Sequence, residues 1–311
     1  MRPTSGLLDA AFAATDHLSA DTIKVLLGKP TIIVSAPRSG SNLLFELLSR
    51  QQSVWTIGGE SHAIFNAFPH LRAENEQLDS GCLGTRHADA DTQRLVRSLF
   101  LYLLQDGKHR ALHTLGPSGV HNALNIVEKT PRNALNIPFL LEVFSGAQFI
   151  FLHRDPRGCI ASLVEAWTVG LQTGRFVTFK DLPQWDRSAW CFLLPPGWRS
   201  MIGKTLTEIA AFQWAESNRI VLDELRSLPP ERWQAVSYEA LLKDPAAVQT
   251  QLCQFIDPEM QVAPIPARKL PLSHTTLSPP HPDKWTIRRA EIEALLPSLE
   301  PTIQRLAALR N

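Results

Sequence analysis

The chain has 311 residues, 44% hydrophobic and 20% charged, the proportions of a globular fold with room for a substantial core. Its formal net charge is +1, from 31 basic against 30 acidic residues, which excludes a general polyanion binder and leaves anion recognition to local features. Cys82, Cys159, Cys191 and Cys253 form no CxxC pair, which speaks against a disulfide framework or a zinc site. No apolar run reaches membrane-spanning length, and Asp9 and Asp16 interrupt the N-terminal apolar residues. The expectation is a cytoplasmic protein without a signal peptide or membrane anchor.

In chain order, residues 1–28 read as an amphipathic helical lead-in carrying Leu7, Leu8, Ala11, Phe12, Ile23, Leu26 and Leu27. Thr31 to Val34 is a short apolar strand. Ser35-Ala36-Pro37 breaks it, Arg38-Ser39-Gly40-Ser41 turns, and Leu43, Leu44, Leu47 and Leu48 then recur at helical spacing. Strand, small-residue loop and helix N-terminus together make an anion cradle. Backbone N–H groups converge, the helix dipole adds positive charge, and Gly40 permits a turn that a side chain would block. Arg38 adds a forked cation suited to phosphate or sulfate. Ser53 to Ile57 reads as a second strand, ending in Gly58-Gly59-Glu60-Ser61-His62. That places Glu60 at the mouth of the sheet, where open parallel sheets bind ligands.

Residues 72–90 read as loop and Thr92 to Gln105 as helix. Asn125 to Lys129 is a strand stopped by Thr130-Pro131, Asn133 to Phe144 is helical, and Gln148 to Leu152 is a buried strand. His153-Arg154-Asp155-Pro156-Arg157 closes that strand, with Pro156 suited to a first helical turn, and Ser162 lies about two turns into the helix that follows. Arg154 and Ser162 can converge on one oxyanion; alternatively Arg154 pairs with Asp155 or caps a neighbouring helix, and Arg157 is a further, solvated cation. Residues 168–204 lose periodicity and gain tryptophan, phenylalanine and proline, as expected of an insertion that covers a substrate. Thr207 to Leu225, Pro245 to Ile256 and Arg288 to Leu309 are helical, Trp233 to Val236 is a strand, and 264–286 is irregular and proline-rich. Strands alternating with helices predict one α/β domain over 1–311, a parallel sheet flanked by helices with inserted irregular lid segments.

The stretches APRSGSNLLFELL and FIFLHRDPRGCIASLVEAW resemble the two cofactor signatures of the sulfotransferase superfamily that uses 3′-phosphoadenosine 5′-phosphosulfate (PAPS). IVEKTPRN (126–133), SYEALLKDP (237–245) and LSHTTLSPPHPDKW (272–285) agree in the same order. The likeness is closest to a bacterial branch near the tyrosylprotein and polyketide-associated enzymes. It implies a P-loop-like α/β fold with Pro37, Arg38, Ser39, Gly40, Ser41 and Asn42 on the 5′-phosphosulfate, and Arg154 and Ser162 on the 3′-phosphate. Lys129 would face the transferring sulfuryl group, and Lys284 and Trp285 would close over the cofactor, with Ser273, Thr275 and Thr276 as further contacts.

The base is where the sequence departs from the cytosolic phenol and steroid enzymes. Their Lys-Thr-His element reads Lys129-Thr130-Pro131 here, so its histidine is absent. The resemblance then makes Glu60 the leading base, with a modestly raised pKa expected from partial burial, and His62 the reserve. No metal is expected. The product would be PAP, and the acceptor a hydroxylated small molecule or carrier-bound acyl alcohol, with no nucleic-acid partner. A P-loop kinase or NTPase would need lysine after Gly40, where Ser41 stands. A non-catalytic nucleotide-binding module would not need both Glu60 and Lys129.

Overall fold

The computed structural model describes residues 5–72, 79–114, 123–265, 275–279 and 281–310. Two helices, α1 (Ser5–Thr15) and α2 (Ala20–Leu26), lead into β1 (Thr31–Val34), and α3 (Ser41–Ser49) follows. Next come β2 (Val54–Trp55), a one-turn helix α4 (His62–Phe65), α5 (Ala90–Leu103), β3 (Asn125–Lys129), α6 (Ile137–Val143) and β4 (Gln148–His153). The remainder is α7 (Pro156–Thr173), a hairpin of β5 (Val177–Lys180) and β6 (Ala189–Cys191), α8 (Leu206–Leu225), β7 (Trp233–Ser237), α9 (Tyr238–Lys243), α10 (Pro245–Ile256) and α11 (Arg289–Ala307).

Five strands form a parallel sheet in the order β2-β3-β1-β4-β7. Its register sets Ile33 opposite both Lys129 and Ile150. Side chains alternate between two cores. Ile32, Val34, Phe149 and Phe151 pack on one face, while Ile33, Ile150, Leu152 and Val236 pack on the other. All six residues of β4 are buried, and each large apolar side chain there is worth about 1.5–3 kcal/mol relative to exposure.

The helix after β1, α3, packs on the second face through Leu43, Leu44 and Leu47. The helix after β4, α7, packs on the first through Cys159, Ile160, Leu163 and Val164. Neighbouring central strands thus send their helices to opposite faces, which opens a crevice beyond their C-terminal ends. The α/β reading of the sequence is what the structure shows.

Locally the structure departs from expectation in three places. The second strand is only Val54–Trp55, because Thr56 leaves the parallel ladder to pair with Gln105. The helix expected from Asn133 is a 3₁₀ turn over Pro131–Leu135 followed by α6, since Pro131 and Pro138 each remove a helix donor. In the 168–204 stretch, α7 runs on to Thr173 before the β5–β6 hairpin begins. Trp185, Trp190 and Trp198 pack there edge-on against one another and with Trp167, as a small separate core.

Candidate active site

The loop after β1 closes through a left-handed pair of residues: Arg38 has φ 67° and Gly40 φ 97°. Gly40 caps α3, and a Cβ there would lie 2.4 Å from the Tyr238 ring, so the position needs glycine for its conformation and its space. Beneath the loop, the Cys159 thiol donates to the Pro37 carbonyl at 3.2 Å, with Ser39 Oγ 3.6 Å away. Burial pushes that thiol's pKa up to about 11, so Cys159 supports the loop as a neutral group.

The two basic signatures meet at Arg38. Its Nε donates to Ser162 Oγ at 3.2 Å and a terminal nitrogen donates to the Thr275 carbonyl at 3.0 Å. Arg154 donates to the Arg38 carbonyl at 2.9 Å and lies over the Tyr238 ring at 4.4 Å. The alternative partner for Arg154 is taken: Asp155 pairs with Arg157 at 3.4 Å, and Arg157 lies over Trp285. Asn42 Nδ2 donates to Thr275 Oγ1 at 2.7 Å, tying the start of α3 to the C-terminal segment. Lys284 donates to Glu165 Oε2 at 2.5 Å and also bonds Ser278.

Arg38, Asn42, Arg154, Ser162, Thr275 and Lys284 line one cavity of about 570 Å³, together with Pro37, Gly40, Ser41, Glu60, His62, Thr276 and Trp285; Asp155 and Arg157 do not. Ser39 is buried in the loop and absent from the lining, and its backbone N–H donates to the Ala36 carbonyl at 3.3 Å, so the structure does not place it at the cavity as the resemblance implied. Ser273 lies outside the described residues. Glu165 and Tyr238 are lining residues that the sequence does not single out, while Phe176 belongs to the 168–204 stretch expected to cover a substrate. The helical phase places Glu165 three residues beyond Ser162, on the same face of α7. Phe176 gave no such signal: it sits beyond the end of α7 with φ 68°, its ring stacked on Phe192 at 5.3 Å and facing the Arg38 guanidinium at 5.5 Å.

Glu60, beyond the end of β2, bonds two basic side chains. One carboxylate oxygen is ion-paired with the Lys129 ammonium, and the other accepts from His62 Nε2 at 2.9 Å. Lys129 is 5% exposed and does not itself line the cavity; Glu60, at 33%, stands in front of it. The raised pKa expected for Glu60 is not what the structure gives. Burial pushes the carboxyl up, but the hydrogen bond from His62 and the charge and hydrogen bond of Lys129 outweigh it and hold it at about 2. Among the described residues, His62 Nδ1 is buried without a hydrogen-bond partner.

The donor set is that of an anion site: two arginines, a lysine and the N–H groups opening α3, beside the aromatic faces of Tyr238, Trp285 and Phe176. Among the described residues, no group of three or more His, Cys, Asp or Glu side chains is placed to hold a metal ion, and no helix is long and apolar enough to cross a membrane.

Residues 30–261 match the sequence model of the family described as "Sulfotransferase family". Among solved structures, the sulfotransferase domain from the curacin biosynthetic pathway is 24% identical, with 74% of each chain covered and a TM-score of 0.43. The sulfotransferase domain of the Synechococcus PCC 7002 olefin synthase is 21% identical over 74% of this chain and 73% of its own, TM-score 0.43. A sulfotransferase from Alicyclobacillus acidocaldarius is 16% identical over 91% of this chain and 99% of its own, TM-score 0.46. No curated protein sequence matches.

Proposed function

The chain belongs to the sulfotransferase family, and from that premise we propose that it transfers the sulfuryl group of PAPS to the hydroxyl of an apolar acceptor. The observation that carries the proposal is the convergence of Arg38, Ser162 and Arg154, from two segments more than a hundred residues apart, on one cavity. A ligand anionic at one point would need only one of those segments; PAPS carries a 5′-phosphosulfate and a 3′-phosphate. The volume, about 570 Å³, is within the usual range for nucleotide-sized ligands.

PAPS, when bound, supplies an electrophilic sulfur and a nucleoside bisphosphate leaving group. In this assignment the N–H groups of Gly40, Ser41 and Asn42 and the Arg38 guanidinium bind the 5′-phosphosulfate. Arg154 and Ser162 bind the 3′-phosphate, and Lys284 and Trp285 cover the nucleotide. Lys129 is the cation for the negative charge that grows on the leaving oxygen in a loose transition state.

Glu60 accepts the proton of the acceptor hydroxyl. A carboxylate held at about 2 is a poor base at neutral pH. Its basicity rises when Lys129 turns from it toward new negative charge, because that removes one of the two interactions lowering it. His62 keeps Glu60 oriented through the Nε2 bond.

Phe176, Val177, Phe192 and Leu193 give the cavity an apolar wall, and Thr178 and Asn66 add polar groups. This favours a hydroxyl carried on an apolar body, free or delivered by a carrier protein. The hairpin within 168–204 supplies that wall through its phenylalanines, and its tryptophans hold the hairpin together. The four free thiols suit a reducing compartment, and we read the site of action as cytoplasmic.

The test is a screen with sulfur-labelled PAPS against hydroxylated acyl-carrier, sterol, phenol and sugar acceptors. Label is expected on an apolar alcohol; transfer confined to hydrophilic sugars contradicts the acceptor assignment, and transfer from ATP in place of PAPS contradicts the donor.

A further inference from the structure

A carboxyl group sits inside the sheet where the sulfuryl-transfer reading gives it no task. Glu128 is 2% exposed, the last residue but one of β3, at a position that a valine would fill at less cost. Side chains alternate along a strand, so Glu128 and Thr130 point one way and Lys129, between them, points the other.

Glu128 spends both oxygens on neighbours. Oε1 accepts from Ser61 Oγ at 2.8 Å and from Thr130 Oγ1 at 2.5 Å, and Oε2 accepts from Asn133 Nδ2 at 2.8 Å. Thr130 Oγ1 in turn accepts from the Ser61 backbone N–H at 2.7 Å and lies 2.9 Å from Ser61 Oγ. Ser61 is therefore held by backbone and side chain together. It is the residue between Glu60 and His62, just as Lys129 is the residue between Glu128 and Thr130.

One buried cluster thus fixes, from behind, the two segments whose outward side chains form the His62–Glu60–Lys129 chain. The Gly-Glu segment is otherwise anchored at its two ends, by the Thr56–Gln105 bridge before it and by Ile64 and Phe65 of α4 in the core after it, with Gly58 and Gly59 between. Burial pushes the Glu128 carboxyl's pKa up while the Thr130, Ser61 and Asn133 bonds pull it down, so the bonds lower the cost of burying it.

We propose that Glu128 is a positioning residue for sulfuryl transfer, setting the distance and angle between Glu60 and Lys129 through Ser61 and Thr130. This rests on the sulfotransferase reading of the site. A misplacement of about 1 Å at a reacting group can cost on the order of 100-fold in rate, which sets the scale expected.

The experiment compares Thr130→Val, Thr130→Ser and Glu128→Gln in the full chain. One readout is the release of labelled sulfate from PAPS with water as acceptor, giving kcat and KM separately. The other is the pair of imidazole nitrogen resonances of His62, assigned with His62→Gln. Thr130→Val and Glu128→Gln are expected to lower kcat about 10- to 100-fold with PAPS KM within about threefold. Both should move the His62 resonances, and Thr130→Ser, which restores the hydroxyl, should recover both readouts.

A Thr130→Val protein with the kcat and His62 resonances of the parent overturns the proposal. So does a loss confined to KM or to melting temperature. If the parent neither binds PAP nor releases sulfate, the donor assignment has failed on its own. The His62 resonances still decide the positioning claim, and resonances unmoved in Thr130→Val would end it.

Discussion

The Lys129 ammonium is ion-paired with the Glu60 carboxylate, so the cation assigned to the transferring group and the carboxylate assigned to the acceptor proton begin by neutralising each other. His62 holds the other oxygen of that carboxylate. The pair sits at the cavity edge with Lys129 behind and Glu60 in front. In the proposed reaction, a resting site built this way keeps Glu60 a weak base until Lys129 has another anion to face.

Lys129→Met separates the two roles. Removing the ammonium takes away one of the causes that hold Glu60 at about 2, so the carboxyl pKa rises. A base must be ionised to act, and activity falls as pH drops through its pKa. The acid limb of the kcat/KM profile, which reports the free enzyme where the ion pair stands, is therefore expected to move to higher pH, while kcat itself drops by about 100- to 1,000-fold for the lost charge stabilisation. An acid limb that stays in place in the variant contradicts the Glu60–Lys129 coupling.

Glu60→Gln is expected to lower kcat by about 100- to 10,000-fold, the range for removing a general base. His62→Ala removes only the group that orients it, and should cost much less, with the loss partly recovered in His62→Gln. The opposite order, with Glu60→Gln close to the parent and His62→Ala inactive, makes the buried Nδ1 side of His62 the proton acceptor.

Gly40→Ala tests the cradle from the backbone side. The new Cβ meets the Tyr238 ring within 2.5 Å at φ 97°, and Tyr238 carries the Arg154 guanidinium on its face. The left-handed conformation alone costs about 1–2 kcal/mol for a residue with a side chain. Lower thermal stability is expected together with loss of the PAP-induced rise in melting temperature. A stable Gly40→Ala protein that binds PAP normally shows that the turn is not what forms the anion site.

The hairpin offers a contrast between support and contact. Trp190 is fully buried against Trp167, Trp185 and Trp198, and Trp190→Ala is expected to destabilise by about 3–5 kcal/mol in urea unfolding. Phe176 and Phe192 are only half-buried, both at positive φ, and face the cavity. Phe176→Ala should change acceptor KM and leave both the unfolding midpoint and PAP affinity near those of the parent. A Phe176→Ala protein that loses PAP affinity instead would assign the stack to the nucleotide.

Much of this was legible because local signals and the fold agreed. Thr31 to Val34 and Asn125 to Lys129 are strands to the residue, and the strand read to Leu152 extends one further, to His153. The loop at Arg38 to Ser41 announced itself by composition. What stayed hidden depends on contacts between distant segments. Ser162 was legible as a neighbour of Arg154, yet its bond is to Arg38, 124 positions away.

Glu60 was placed, and its partners were not, so burial alone suggested a raised pKa where the bonds from His62 and Lys129 lower it. The tryptophans of 168–204 looked like a lid surface because composition does not say which side of a hairpin faces inward. Glu128 carried a usable signal, a carboxylate directly after Ile126-Val127 in a buried strand, but its partners Ser61 and Asn133 belong to other segments.

The most direct measurement is calorimetric titration of the protein with PAP and, separately, with AMP, which lacks the 3′-phosphate. The Arg38–Ser162–Arg154 convergence predicts PAP to bind at least about 100-fold more tightly, roughly 2.7 kcal/mol, and Arg154→Met to erase most of that difference. Equal affinities for PAP and AMP, or a preference that survives Arg154→Met, would contradict a PAPS-binding site.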